Sequence, residues 1–140
     1  MSLSGWELTV LLCDYAQVSD GKLFIAGGGW SINGPGGFTH GLAMKLEVPW
    51  TEANRTHTLS CDLLDPDGKP VVVGDPPDRI RFETSFQVGR PVGIQEGSPL
   101  DFPLAVNLGP IHLPAGERFE WSVSVDGALL GRAGFQTRTI

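Results

Sequence analysis

The feature that most constrains this chain is an alternation of apolar and polar residues with a period of two. In residues 80–88 (IRFETSFQV), apolar side chains such as Phe82 and Phe86 fall on one face and charged ones such as Glu83 on the other. Because successive side chains of a strand point to opposite faces, this pattern predicts a β-strand with one buried face. The same alternation recurs in residues 42–48, 58–64 and 118–125.

Turn signals separate the alternating stretches. Asp-Gly pairs stand at Asp20–Gly21, Asp67–Gly68 and Asp126–Gly127, each between two strand-like runs. Glycine readily adopts the positive φ that tight hairpins require, and aspartate tolerates or caps such turns. We therefore expect at least three β-hairpins.

The absence of helical periodicity decides the fold class. No stretch of 11 or more residues has apolar side chains at helical spacing, and parallel sheets need long crossovers that are usually helical. We therefore predict an all-β, two-layer antiparallel sandwich of eight to ten strands, with immunoglobulin-like or jelly-roll topology, forming one domain over residues 1–140. The predicted core comprises Leu12, Phe24, Leu46, Leu63, Phe82, Phe86, Val106, Phe119, Trp121 and Val123.

Charge and cysteine content narrow the function classes. The formal net charge is −6 and the pI is about 4.9, which argues against nucleic-acid binding through phosphates and against anionic membrane surfaces. No apolar run is long enough to cross a membrane, and we identify no signal peptide. We therefore expect a cytoplasmic protein in which Cys13 and Cys61 are free thiols.

The glycine-rich stretch in residues 23–38 (LFIAGGGWSINGPGGF) superficially suggests a phosphate-binding loop. A Walker loop needs Gly-Lys-Ser/Thr, which is missing here, and the dinucleotide pattern fails because its sixth position is Ile32 counted from Gly27 and Thr39 counted from Gly34. Both motifs also need a helix to follow. We instead predict a strand that bends at Gly27–Gly29 and continues into a loop, with Trp30 packed across it.

Catalytic and metal-binding signals are weak. His40, His57 and His112 are far apart in sequence, the turn at Asp65 lacks a calcium ligand at its fifth position, and no Gly-x-Ser-x-Gly elbow occurs. Cys13 would need a nearby histidine to act as a nucleophile. We therefore predict no catalytic residue, no metal site, no cofactor and no enzymatic activity.

The aromatic residues leave two hypotheses for function. The first is a non-enzymatic interaction module that binds itself or another protein, through a sheet edge or an aromatic patch. The alternative is binding of a carbohydrate or another small ligand, with Trp6, Trp30 and Trp50 as candidate stacking platforms. Trp6, Trp50 and Tyr15 do not fall clearly on an inward strand face, so we also consider that they complete the edges of the core.

Two segments carry a resemblance to a known family. Residues 11–32 (LLCDYAQVSDGKLFIAGGGWSI) and 113–131 (LPAGERFEWSVSVDGALLG) resemble a family of short bacterial proteins of unknown function, found mainly in high-GC soil bacteria. The resemblance covers nearly the whole chain and is most specific in the first segment. It implies a single-domain β-sandwich that is not secreted, and it implies no catalytic or binding residue.

Overall fold

The structure is a computed structural model that describes residues 2–139, so Met1 and Ile140 of the predicted domain lie outside the described residues. The described residues form twelve strands and one 3₁₀ turn at Trp50–Glu52. The strands are β1 (Glu7–Cys13), β2 (Tyr15–Ser19), β3 (Lys22–Ala26), β4 (Ile32–Asn33), β5 (Gly36–Val48), β6 (His57–Leu64), β7 (Val72–Val73), β8 (Asp78–Arg79), β9 (Arg81–Phe86), β10 (Leu100–Leu113), β11 (Arg118–Val125) and β12 (Ala128–Thr137).

Two sheets form the sandwich. A three-stranded sheet has the order β1-β5-β10, and a five-stranded sheet has the order β4-β12-β11-β6-β9. Every pair is antiparallel except β4 with β12. β2–β3 and β7–β8 form separate two-stranded hairpins. The predicted all-β sandwich is confirmed, and the choice between the two topologies stays a prediction. In residues 2–139 no helix is long and apolar enough to cross a membrane.

The core lies between the two sheets and follows the predicted alternation. Leu42, Met44 and Leu46 of β5 face Leu63 of β6 and Trp121 of β11, and all five are almost completely buried. Of the other predicted core residues, Leu12, Phe86, Val106, Phe119 and Val123 are also buried. Each apolar side chain that points inward removes apolar area from water on folding, and this burial is the main stabilising contribution to such a fold.

Two residues of the predicted core need correction. Phe24 is 56% exposed, so its assignment to the core is wrong. It lies in β3, whose hairpin packs outside the sandwich and turns this side chain away from the sheet. Phe82 is only partly buried and packs at the margin of the core, because β9 is the edge strand of the five-stranded sheet.

The predicted Asp-Gly turns are confirmed. Both residues of each central pair have positive φ, 52° and 68° at Asp20–Gly21 and 49° and 82° at Asp126–Gly127. This geometry matches the twist of the β2–β3 and β11–β12 hairpins. In the third turn the Asp65 Oδ1 accepts hydrogen bonds from the backbone N–H groups of Asp67 and Lys69.

The glycine-rich stretch carries the chain from the β2–β3 hairpin to the five-stranded sheet. β3 ends at Ala26, and the chain then passes to β4, which joins the five-stranded sheet beside β12. Gly27 has a φ of +60°, and a Cβ there would clash with a carboxylate oxygen of Asp14. The predicted bend at Gly27–Gly29 is confirmed, and no helix follows it.

Candidate functional site

The β2–β3 hairpin covers part of the outer face of the three-stranded sheet. The side-chain amide of Asn107 holds it there: Nδ2 donates to the Ala16 carbonyl at 2.8 Å, and Oδ1 accepts from the Ala16 N–H at 3.0 Å. A Cβ at Gly41 would lie 2.6 Å from this Oδ1. Glycine at position 41 therefore leaves the space that the Asn107 amide occupies.

The floor beneath the hairpin consists of small side chains. Cys13, Ala43 and Ala105 form a second apolar cluster with Ala16 and Leu23 of the hairpin, separate from the main core. Small residues let the hairpin backbone approach the sheet closely. Two amide hydrogen bonds and this cluster fix the orientation of the hairpin on the sheet.

The opposite side of the hairpin presents aromatic residues. Tyr15 pairs with Ala26 and Phe24 with Gln17, which places these four residues on one face because alternate residues of a strand share a face. Tyr15 is 52% exposed and Phe24 is 56% exposed. Val18 and Ile25 lie on the sheet-facing side of the hairpin but are still 38% and 40% exposed, and Leu11 of β1 is 42% exposed. We call the whole set the hairpin surface: Leu11, Tyr15, Val18, Phe24 and Ile25.

The outer face of the five-stranded sheet is different. It carries serines and paired charges: Arg81 Nε lies 3.5 Å from Asp62 Oδ1, and Arg132 Nε lies 3.3 Å from Glu120 Oε1. Such a face is well solvated, and these two ion pairs already match four of its charges. The hairpin surface is therefore the stronger candidate for binding another macromolecule.

The three tryptophans proposed as stacking platforms lie in three different places. Trp6 is only 6% exposed and packs edge-on against His57, with ring centroids 5.0 Å apart, so it completes the edge of the core and offers no stacking platform. Trp30 is partly buried against His40 and Phe135, and its indole N–H is enclosed. Only Trp50 lines a surface cleft, so the structure does not bring the three together.

The Trp50 cleft is shallow and largely apolar. It has a volume of about 410 Å³ and is lined by Pro49, Trp50 and Pro99 together with Gly5, Thr51 and Gly97. The guanidinium carbon of Arg90 lies 4.4 Å from the centroid of the Trp50 ring, and Arg90 Nη2 donates to the Trp50 carbonyl at 2.8 Å. A cation–π contact therefore covers part of the ring that a ligand would need.

Comparison with known proteins places the chain in a family. The model of a family of unknown function, DUF6941, matches residues 8–138. The chain belongs to this family. No curated protein and no solved structure matches it. The DUF6941 match spans both the β2–β3 hairpin and the sandwich beneath it, and the family description names no activity.

One pair in this DUF6941 chain has the composition of a catalytic dyad. His57 Nδ1 donates to Asp126 Oδ2 at 2.8 Å, and His57 Nε2 donates to the backbone carbonyl of Glu52 at 3.1 Å. Burial lowers the pKa of His57, but the hydrogen bonds to Asp126 and Glu52 outweigh burial and leave this pKa raised. Both ring nitrogens are occupied by structural acceptors, so the ring has no free nitrogen to activate a nucleophile.

The thiols of the DUF6941 chain are equally unsuited to nucleophilic attack. Cys13 and Cys61 are free and completely buried, the first under the hairpin and the second in the main core. Burial raises the pKa of Cys61 to about 12 and, together with Asp14, raises that of Cys13. Cysteine reactivity depends on the thiolate, which both environments disfavour. In the described part of the chain, no three His, Cys, Asp or Glu side chains are grouped to hold a metal ion.

In this DUF6941 chain, Tyr15 does not fall on a predicted inward face, whereas the alternation placed Phe24 in the predicted core. A signal was present: around the Asp20–Gly21 turn, β3 carries apolar side chains on both faces, with Leu23 and Ile25 on one and Phe24 on the other. When such a strand belongs to a two-stranded hairpin that packs on a sheet, only the face toward the sheet is buried. The apolar side chains of the other face are exposed to solvent or are buried by a partner.

Proposed function

We propose that the protein is a non-enzymatic interaction module that binds a protein through the hairpin surface. The observation that carries this proposal is that Tyr15 and Phe24 lie on the same outer face of one hairpin, each more than half exposed. Aromatic side chains are enriched in protein interfaces because they bury large areas with little loss of side-chain entropy. Exposed together on a rigid support, they favour binding over a purely structural role.

The hairpin is also anchored to the sheet beneath it. The Asn107 amide and the Cys13–Ala43–Ala105 floor hold the hairpin in one orientation, so its aromatic residues are presented before any partner arrives. Preorganisation reduces the entropy lost on association.

Free thiols at Cys13 and Cys61 support our proposal that the protein acts in the cytoplasm.

Site-specific photocrosslinking tests this function. A photoreactive phenylalanine analogue is placed at position 24, and in a matched control at Leu129, which is similarly exposed on β12. We expect a discrete crosslinked species from position 24 and none from position 129. A species of twice the mass of the chain would identify a second copy, and light scattering of wild type and of Tyr15→Ser/Phe24→Ser would then report the dimer. Equal crosslinking from both positions, or none from position 24, would contradict the proposal.

Binding of a carbohydrate or another small ligand is the second candidate, and it now depends on Trp50. The Trp50 cleft falls within the range of roughly 300–1,000 Å³ that is usual for small-molecule sites. Tryptophan fluorescence is titrated with a panel of sugars and metabolites, using wild type and Trp50→Phe. A shift seen only in wild type would support this function, whereas no shift in wild type would remove its basis.

A further inference from the structure

Three carboxylates form a row on the same outer face that carries the hairpin. Glu7 of β1 lies directly opposite Glu47 of β5, and Glu47 lies directly opposite Asp101 of β10. Directly opposed residues in a sheet have Cβ atoms roughly 4.5–5.5 Å apart, and like charges there are destabilising. We call Glu7, Glu47 and Asp101 the acidic row.

Among residues 2–139, the acidic row is only partly neutralised. Lys45 Nζ lies 3.7 Å from Glu47 Oε1 and 3.3 Å from Asp101 Oδ1, so one ammonium group forms ion pairs with two carboxylates. A hydrogen bond to Glu47 and repulsion by its charge raise the pKa of Glu7. A positively charged group placed over Glu7 and Glu47 would relieve this repulsion.

The acidic row and the hairpin surface are continuous along β1. Glu7, Thr9 and Leu11 point outward from β1 and are exposed, and the next outward residue, Cys13, is buried beneath the hairpin. Leu11 belongs to the hairpin surface. At about 3.3 Å per residue, Leu11 lies roughly 13 Å along the strand from Glu7. Ile25 adds to the apolar end, since its Cγ2 and the Cβ of Cys13 both lie next to Gly28.

We infer that the partner of the hairpin surface is a segment of another protein that carries apolar and positively charged side chains, with arginine or lysine over the acidic row about 13 Å from the apolar contact. This inference rests on the proposed function. Arginine suits the row best, because its guanidinium pairs with carboxylates in a bidentate manner. A second copy, with its net charge of −6, fits the row less well.

The probes are two fluorescein-labelled peptides of twelve residues with the same leucine and phenylalanine positions. One has arginine at four alternate positions and the other has glutamate there. Binding to the full chain is measured by fluorescence anisotropy at several salt concentrations. We expect the arginine peptide to bind, more weakly as salt increases, and the glutamate peptide not to bind.

Variants separate the two parts of the surface. Glu7→Gln/Glu47→Gln/Asp101→Asn removes the acidic row, and Asp67→Asn/Glu96→Gln/Glu117→Gln is a control that removes the same charge from exposed residues elsewhere. We expect the first triple variant to weaken binding of the arginine peptide about 10-fold and to flatten its salt dependence. The control should stay close to wild type. Thermal melts followed by circular dichroism establish that each variant is folded.

The outcomes distinguish this inference from the proposed function. If Tyr15→Ser/Phe24→Ser abolishes binding and the acidic-row variant does not weaken it, the hairpin binds but the inference about charge is wrong. If the acidic-row variant alone abolishes binding, the row recognises cations and the hairpin function fails. Equal weakening by the row variant and its charge-matched control, or binding of the glutamate peptide, would overturn the inference.

Discussion

His40 and His57 are both buried, 1% and 4% exposed, but their surroundings are opposite. His40 lies among the rings of Trp30, Phe38, Trp121 and Phe135, and its Nε2 accepts a hydrogen bond from Trp121 Nε1 at 3.0 Å. His57 instead donates from both ring nitrogens, to a carboxylate and to a backbone carbonyl. One ring is held as an acceptor and the other as a double donor.

The difference determines the charge of each ring. Burial lowers the pKa of His40 to about 4, so this ring is neutral at physiological pH. Burial also lowers the pKa of His57, but its two acceptors reverse the effect and raise it. Hydrogen-bonding partners, rather than burial alone, therefore decide whether a buried histidine is charged.

The two histidines also stabilise different ends of the sandwich. Trp121, the partner of His40, pairs with Leu63 near the end of β6, whereas His57 begins this strand. Six residues of strand separate these positions by roughly 20 Å. An aromatic cluster packs at each end, and the pair of His57 and Asp126 joins the start of β6 to the β11–β12 turn. Each cluster can therefore be disrupted separately.

The largest effect is expected at the His40 end. Trp121→Ala should lower the free energy of unfolding by about 3–5 kcal/mol, because it removes a completely buried ring and the hydrogen bond to His40. Phe82→Ala should cost less, since Phe82 is only partly buried. Equilibrium unfolding in guanidinium chloride measures both, with Leu129→Ala as a surface control. A loss below about 1 kcal/mol for Trp121→Ala would contradict the assignment of the core.

The second effect is a loss of stability in acid. The folded pKa of His40, about 4, lies below its ordinary value of 6.5, so the unfolded chain takes up the proton first as the pH falls. Stability should therefore fall between about pH 6.5 and pH 4, by up to ~3 kcal/mol. His40→Gln keeps an acceptor for Trp121 but cannot titrate in this range. Unfolding measured from pH 7 to pH 4 should decline less steeply in this variant, and an unchanged slope would refute the prediction.

The sandwich could be predicted because its signals are local. The alternation in residues 80–88 and 118–125 and the Asp-Gly turns act within a few residues, and the structure confirms both. The site depends on contacts between distant residues. Phe24 lies in a strand that is apolar on both faces, so alternation alone could not decide which face is covered.

The contacts of the site also link residues far apart in sequence. Trp6 lies outside any alternating stretch, and its burial depends on His57 and Phe86. Asp126 lies 69 residues from His57, and only the strand register brings Glu7 and Glu47 together. A single sequence contains no signal for such pairings, so neither the buried pair nor the acidic row could be predicted from it.

The smallest loss of stability among the predicted variants is expected at the His57 end, from Asp126→Asn. Asparagine tolerates the φ of 49° at this turn and keeps one oxygen for the Thr58 N–H. Its NH2 group then replaces the carboxylate oxygen that accepts from His57 Nδ1, so the substitution removes both the charge and the acceptor that face the protonated ring. We expect a loss of about 1–2 kcal/mol near pH 6.

The pH dependence of this loss identifies its cause. Because the folded pKa of His57 is raised, its stabilising contribution is complete below its ordinary value of 6.5 and is lost as the pH rises through the folded pKa. Burial alone would raise the pKa of Asp126, but the hydrogen bond from His57 lowers it, so the carboxylate stays charged in mild acid. The difference between wild type and Asp126→Asn should therefore shrink between pH 6 and pH 9. A difference that is constant over this range would mean that the pair contributes through hydrogen-bond geometry alone, and that the contrast with His40 is not one of charge.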